Sequence, residues 1–133
     1  MGKVARVVLA VGSIAALTAM VVDASAESAR VRCRVKTART QISVDGRGLN
    51  AGMYTATVDS STAAGDVVTS ATAIQVMPPA KEAEFDFDSK PVNIAAGATA
   101  LSRNFVTLPG SVSWQLLKDG VAILSGTQTC VQK

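Results

Sequence analysis

From residue 30 onward the chain falls into short runs in which every second side chain is apolar. Val31, Cys33 and Val35 alternate with Arg30, Arg32, Arg34 and Lys36. Ile42 and Val44 continue the pattern, and Tyr54, Ala56 and Val58 share one face of residues 53–59. Residues 67–77 make a longer β-branched run that stops at Pro78-Pro79. Residues 82–88 alternate most cleanly, with Ala83, Phe85 and Phe87 against Glu82, Glu84, Asp86 and Asp88. A period of two is that of a strand with one buried face.

The intervening residues read as turns. Asp45-Gly46-Arg47-Gly48 breaks the second run, and residues 60–66 form a polar loop. Residues 89–98 are loop-like, and a short strand is expected within residues 100–108, which hold Leu101, Phe105 and Val106. The chain ends in a hairpin. Residues 112–118 lead into Asp119-Gly120, and residues 121–132 return. Asp-Gly between alternating runs predicts a two-residue type I′ turn, because both central positions take positive φ. Gly126 within the return strand predicts a bulge. Together these signals predict an all-β fold of about seven or eight antiparallel strands and no helix, best built as a β-sandwich.

Leu49-Asn50-Ala51-Gly52-Met53-Tyr54 resembles the Leu-x-x-Gly-x-Tyr strand entry of fibronectin type III and bacterial immunoglobulin-like domains. The resemblance covers about ten residues and implies an immunoglobulin-like sandwich whose tyrosine hydroxyl pins a nearby loop. It carries no functional residues. The chain departs from antibody domains in its first-to-last cysteine spacing and in its late tryptophan, Trp114, which is expected to be structural, like Tyr54.

The first residues carry a different signal. Lys3 and Arg6 precede an apolar run over residues 7–22, and Ala24-Ser25-Ala26 offers small residues before Glu27. This is the pattern of a secretory signal cleaved before Glu27. An uncleaved anchor is the rival, but the run is about 16 residues where a span needs roughly 20. No cysteine follows closely, which argues against a lipid-anchored protein. The expectation is a signal peptide over residues 1–26, a single domain over residues 27–133, periplasmic or extracellular residence, and no stable membrane anchor after cleavage.

Without residues 1–26 the chain keeps 107 of its 133 residues, with 11 Lys plus Arg against 9 Asp plus Glu. That small positive balance gives no reason to expect a nucleic-acid partner. There is no histidine, which removes histidine-ligated zinc or copper, Ser–His–Asp catalysis and imidazole acid–base chemistry. The two cysteines, Cys33 and Cys130, read as a disulfide in an exported chain. An intramolecular bridge closes a loop of about 98 residues, which chain-entropy models value at roughly 4–5 kcal/mol. A redox or metal pair is the rival, without a CxxC spacing to support it. An intermolecular bridge is another, although both cysteines sit within apparent strands.

Two charged stripes remain as candidate sites. Glu82, Glu84, Asp86 and Asp88 project about 6–7 Å apart along one strand, a crowding that asks for cations. Asp86, Asp88 and Asn93 could present hard oxygen ligands to calcium, in a spacing that matches no calcium-loop motif. The plain alternative is a solvated face or salt bridges to a neighbouring strand. Arg30, Arg32, Arg34 and Lys36 form the opposite stripe, with Arg39 and Arg47 further on. No aromatic residues are interleaved, as a nucleic-acid groove would require, and a solubilising face explains the pattern equally well. A third reading pairs the stripes, within one molecule or between neighbours.

Catalysis is not expected. The aromatics Tyr54, Phe85, Phe87, Phe105 and Trp114 read as core, and no base accompanies the serines and threonines. The leading expectation is an exported, non-catalytic accessory or interaction module without a cofactor, acting on an unknown protein partner or by self-association. A calcium-binding module is the alternative, and a subunit of a surface assembly joined by its stripes is a third.

Overall fold

The computed structural model describes residues 27–37, 39–62 and 67–133. The expected signal peptide and part of the 60–66 loop lie outside the described residues. Strands β1 (Ser28–Lys36), β2 (Arg39–Arg47), β3 (Gly52–Ser60), β4 (Val67–Thr69), β5 (Ile74–Val76) and β6 (Ala83–Asp88) come first. A short helix α1 (Pro91–Ala95) follows, then β7 (Thr99–Ala100), β8 (Ser111–Lys118), β9 (Val121–Thr129) and β10 (Val131–Gln132). They build two sheets. The first runs β10-β1-β2-β6-β7; the second runs β4-β3-β8-β9, with β5 also on β3.

The apolar face of each alternating run forms the core. The first sheet contributes Val31, Cys33, Ile42, Val44, Phe85 and Phe87; the second contributes Tyr54, Ala56, Val58, Val112 and Leu116. The all-β expectation is therefore met, and the polar members of the same runs face outward. The Cys33–Cys130 disulfide is formed. Cys130 sits where the chain leaves the second sheet after β9 and joins the first as β10, so the bridge ties β1 to that crossing. The expected single return strand over residues 121–132 is thus two strands in different sheets.

Tyr54 is buried, and its hydroxyl donates to the Asn50 carbonyl at 2.7 Å. The hairpin turn also matches expectation. Lys118 pairs with Val121 around a two-residue loop, with φ of 50° at Asp119 and 84° at Gly120.

Other local expectations are corrected. Asp45 and Gly46 do not turn; both pair with β1 on one side and β6 on the other. Glycine is needed at position 46 for packing, because a Cβ there would lie 2.8 Å from Leu116 Cδ2. Gly126 is not a bulge either. It pairs in register with Trp114, and a Cβ would lie 2.9 Å from the indole. The irregularity falls between Leu116 and Leu117, which oppose Leu124 and Ala122.

The run over residues 67–77 splits into β4 and β5. Ser70 donates its N–H to the Ala56 carbonyl, while its Oγ accepts the Ala56 N–H, so a side chain replaces the next rung of the ladder. Residues 89–98 contain α1, with Pro91 in its first turn. Around Leu101, Phe105 and Val106 only Thr99–Ala100 is a strand; those three apolar side chains are buried from loop backbone. The described residues hold ten strands rather than seven or eight. Not all are antiparallel, since β10 runs parallel to β1 and β7 parallel to β6.

Candidate functional site

The outer face of the first sheet carries nearly every charged residue singled out in the sequence. Register fixes where they stand. Arg30 is level with Asp45 and Glu84, Arg32 with Ser43 and Asp86, and Arg34 with Gln41 and Asp88. The basic stripe therefore lies on β1 and the acidic stripe on β6, with β2 between them. Neighbouring strands are about 4.8 Å apart, so the two lines of backbone are separated by roughly 10 Å. Among the described residues no ion pair within 4 Å joins the stripes; the pairs formed are Arg39–Asp88 at 2.8 Å and Arg47–Asp45 at 2.9 Å.

Between the stripes runs a groove of about 480 Å³. Arg32 and Arg34 form one wall, Gln41 and Ser43 the floor, and Glu84 and Asp86 the other wall. Residues 96–98, just after α1, close one end. Arg32 leans inward, its Nη2 donating to Ser43 Oγ at a long 3.4 Å. On the far wall the Asp86 charge, with help from burial and from Asp45, raises the Glu84 carboxyl above its ordinary range. Arg32 opposes this as the smallest of the influences. Among the described residues neither Glu84 nor Asp86 has an ion-pair partner within 4 Å.

Asp88 departs from the rest of its stripe. It is only 2% exposed. Arg39 grips it bidentately, Nε to Oδ1 at 3.1 Å and Nη2 to Oδ2 at 2.8 Å. The Lys90 N–H donates to Oδ1 at 2.9 Å and Asn93 Nδ2 donates to Oδ2 at 2.7 Å. Burial pushes this carboxyl up, but the hydrogen bonds from Arg39, Asn93 and Lys90 prevail and hold it at about 2. Its backbone is also engaged, since the Asp88 carbonyl accepts from the Leu101 N–H. Next door, Ser89 and Thr40 exchange two bonds. Asp88 is the knot where β2, β6 and α1 meet.

Asp86, Asp88 and Asn93 are brought near one another, but Asp88 has both oxygens occupied by N–H donors, and Asn93 faces it with its amide nitrogen. Among the described residues no cluster of three or more acidic or cysteine side chains is placed to hold a metal ion. Glu82 precedes β6 and is exposed; Lys36 ends β1, also exposed. Trp114 is partly buried and packs against the core from β8. Arg39 is the residue whose role the sequence reading missed. A hint was available in Asp88-Ser89-Lys90-Pro91, since aspartate often accepts an N–H two residues on where a chain turns.

The molecule is thus a two-sheet all-β domain with one oppositely striped, grooved face. No family model and no curated protein matches it. Among solved structures it is similar to the Pseudomonas fluorescens alkylpurine DNA glycosylase AlkC bound to DNA containing an abasic site analog. The identity is 12% and the TM-score 0.39, over 78% of this chain and 31% of that one. The chain thus spans about a third of the glycosylase's length, and a likeness this weak carries no functional argument.

Proposed function

We propose that the chain is an exported, non-catalytic interaction module of the periplasm or cell surface, immunoglobulin-like in architecture, that works through the outer face of its first sheet. One observation carries this reading: opposite charges are lined up on a single solvent face and held apart by β2, whose Gln41 and Ser43 are uncharged and whose Asp45 is paired with its own Arg47. Charge so arranged gives orientation and selectivity to a protein contact. Export is supported by the signal pattern of residues 1–26 and by the disulfide, which suits an oxidising compartment. Among the described residues no helix is long and apolar enough to cross a membrane. The immunoglobulin-like architecture is supported by the Tyr54 hydroxyl bond beside the Leu-x-x-Gly-x-Tyr segment. The lack of any histidine supports a non-catalytic role.

The calcium alternative loses its best ligand to Arg39. Thermal melts with and without millimolar calcium separate the two. An interaction face gives a midpoint unchanged beyond an ionic-strength control. A calcium site gives a shift that grows as RT ln(1 + [L]/Kd), about 2.7 kcal/mol at a hundredfold excess over Kd. A saturable shift removed by Asp86→Asn is the result against the proposal.

A further inference from the structure

The striped face is complementary to itself, and we propose that its partner is a second copy of this chain, docked face to face about a two-fold axis parallel to β2. The inference rests on the reading of this face as the working surface and names what covers it.

The two stripes flank β2 at equal distances, one strand spacing to each side. A half-turn about an axis lying above β2 and parallel to it exchanges the two sides. The basic stripe of each copy then lies over the acidic stripe of the other. Such a rotation leaves height along the strands unchanged, so the levels set by strand pairing are preserved. Arg30 shares a level with Glu84, and Arg32 shares one with Asp86. The operation therefore brings Arg30 over the second copy's Glu84 and Arg32 over its Asp86, and each pair occurs twice, as an isologous contact requires.

The third level does not take part, because Asp88 is already occupied by Arg39. On the axis itself Asp45 meets its own copy, each carboxylate already paired with Arg47 of its chain, and the two stripes supply the charges left to match. Glu84 and Asp86 crowd like charge together, and among the described residues neither they nor Arg30, Arg32 and Arg34 form an ion pair within 4 Å. Other two-fold arrangements do less well. An axis perpendicular to the strands lays each stripe over its own copy, arginine on arginine.

A contact built on two charge pairs, each made twice, is expected at the weak end of protein interfaces, below about 1,200 Å² in total. It is expected to be strongly salt-dependent, since screening lengths fall from about 10 Å at 0.1 M to about 3 Å at 1 M.

Sedimentation equilibrium on the protein recovered from an exporting host, with its disulfide closed, tests this. The expected result is a reversible dimer at low salt that dissociates at 1 M salt. Arg32→Glu and Asp86→Arg each weaken it at least tenfold. Both side chains are exposed, so both variants should fold, as their melting curves will show. The decisive arm mixes the two variants. Each alone has mismatched stripes, but together they match, so an equimolar mixture should form a one-to-one dimer that neither variant forms alone. Charge pairing confined within a single chain gives no such rescue. A wild-type protein that stays monomeric at every concentration overturns the proposal. So does a dimer that persists in both single variants, for instance one joined through the β9 edge. A monomer would leave the interaction face itself standing, because cross-linking to a different protein from that face reports on it separately.

Discussion

Replacing Asp88 with alanine is expected to lower stability by about 2–4 kcal/mol at neutral pH, among the largest effects of any single polar substitution in this chain. The side chain is nearly sealed from water, and its oxygens accept from Arg39, Asn93 and the Lys90 N–H. Breaking a buried ion pair by removing one partner leaves the other charge uncompensated, which typically costs about 3–5 kcal/mol. Arg39 keeps partial access to water, its side chain being 20% exposed, which brings the expected cost about 1 kcal/mol below that range. Removing both partners, with Arg39→Met and Asp88→Leu, should cost less than Asp88→Ala, because no orphaned charge remains. Urea unfolding of the three variants checks this. Equal stability of wild type and Asp88→Ala would contradict the role given to the knot.

The same pair sets a pH dependence. The Asp88 carboxyl is lowered from 3.8 to about 2 in the folded chain. A depressed carboxylate stabilises the native state above its unfolded value, and that contribution is lost as pH falls through the folded value. The loss should therefore run from about pH 4 down to about pH 2 and amount to roughly 2 kcal/mol. In Asp88→Asn this component of the acid transition should be missing.

The second large effect is that of the disulfide. Cys33 and Cys130 are 97 residues apart, so the bridge closes nearly the whole described chain into one loop. Chain-entropy models value such a closure at roughly 4–5 kcal/mol, and removing a native disulfide from a small secreted domain typically costs 2–5 kcal/mol. It also secures the point where the chain passes from β9 in one sheet to β10 in the other. Beyond it, β10 has only two residues paired to β1. Cys33→Ser with Cys130→Ser should lower the guanidinium midpoint by an amount in that range. Wild type treated with reductant should behave like the double variant. Coincident midpoints for all three would show that the bridge contributes nothing.

Much of the fold was legible because its strands obey one rule. The runs at β1, β3, β6 and β8 bury alternate residues, and period-two patterning finds such strands directly. The hairpin was legible for a similar reason, as Asp-Gly encodes its own backbone geometry. The errors share the opposite cause. Gly46 and Gly126 looked like breaks because glycine favours turns and bulges locally, but here each makes room for a side chain from a distant strand, Leu116 and Trp114. The division of residues 67–77 depends on Ser70 reaching Ala56, a contact across the fold. Helix α1 spans five residues, too few for a 3.6-residue period to register. Asp88 followed the alternation of its strand, and only the turn residues after it, Ser89-Lys90-Pro91, set it apart from Asp86. Only the pairing of β2 with β6 brings Arg39 to it. The composition of the candidate site was visible in the sequence as two stripes; their common face and the strand between them were set by sheet order, which no local pattern encodes.

The central claim is that the outer face of the first sheet meets a partner. The most direct measurement places a photo-activated cross-linking residue at Gln41, on the floor of the groove, in cells that export the protein. A control carries it at Thr57, on the outer face of the second sheet. The account predicts a discrete adduct from position 41, lost when Arg32→Glu is added, and none from position 57. Adduct formation from position 57 only, or from neither position, would contradict it.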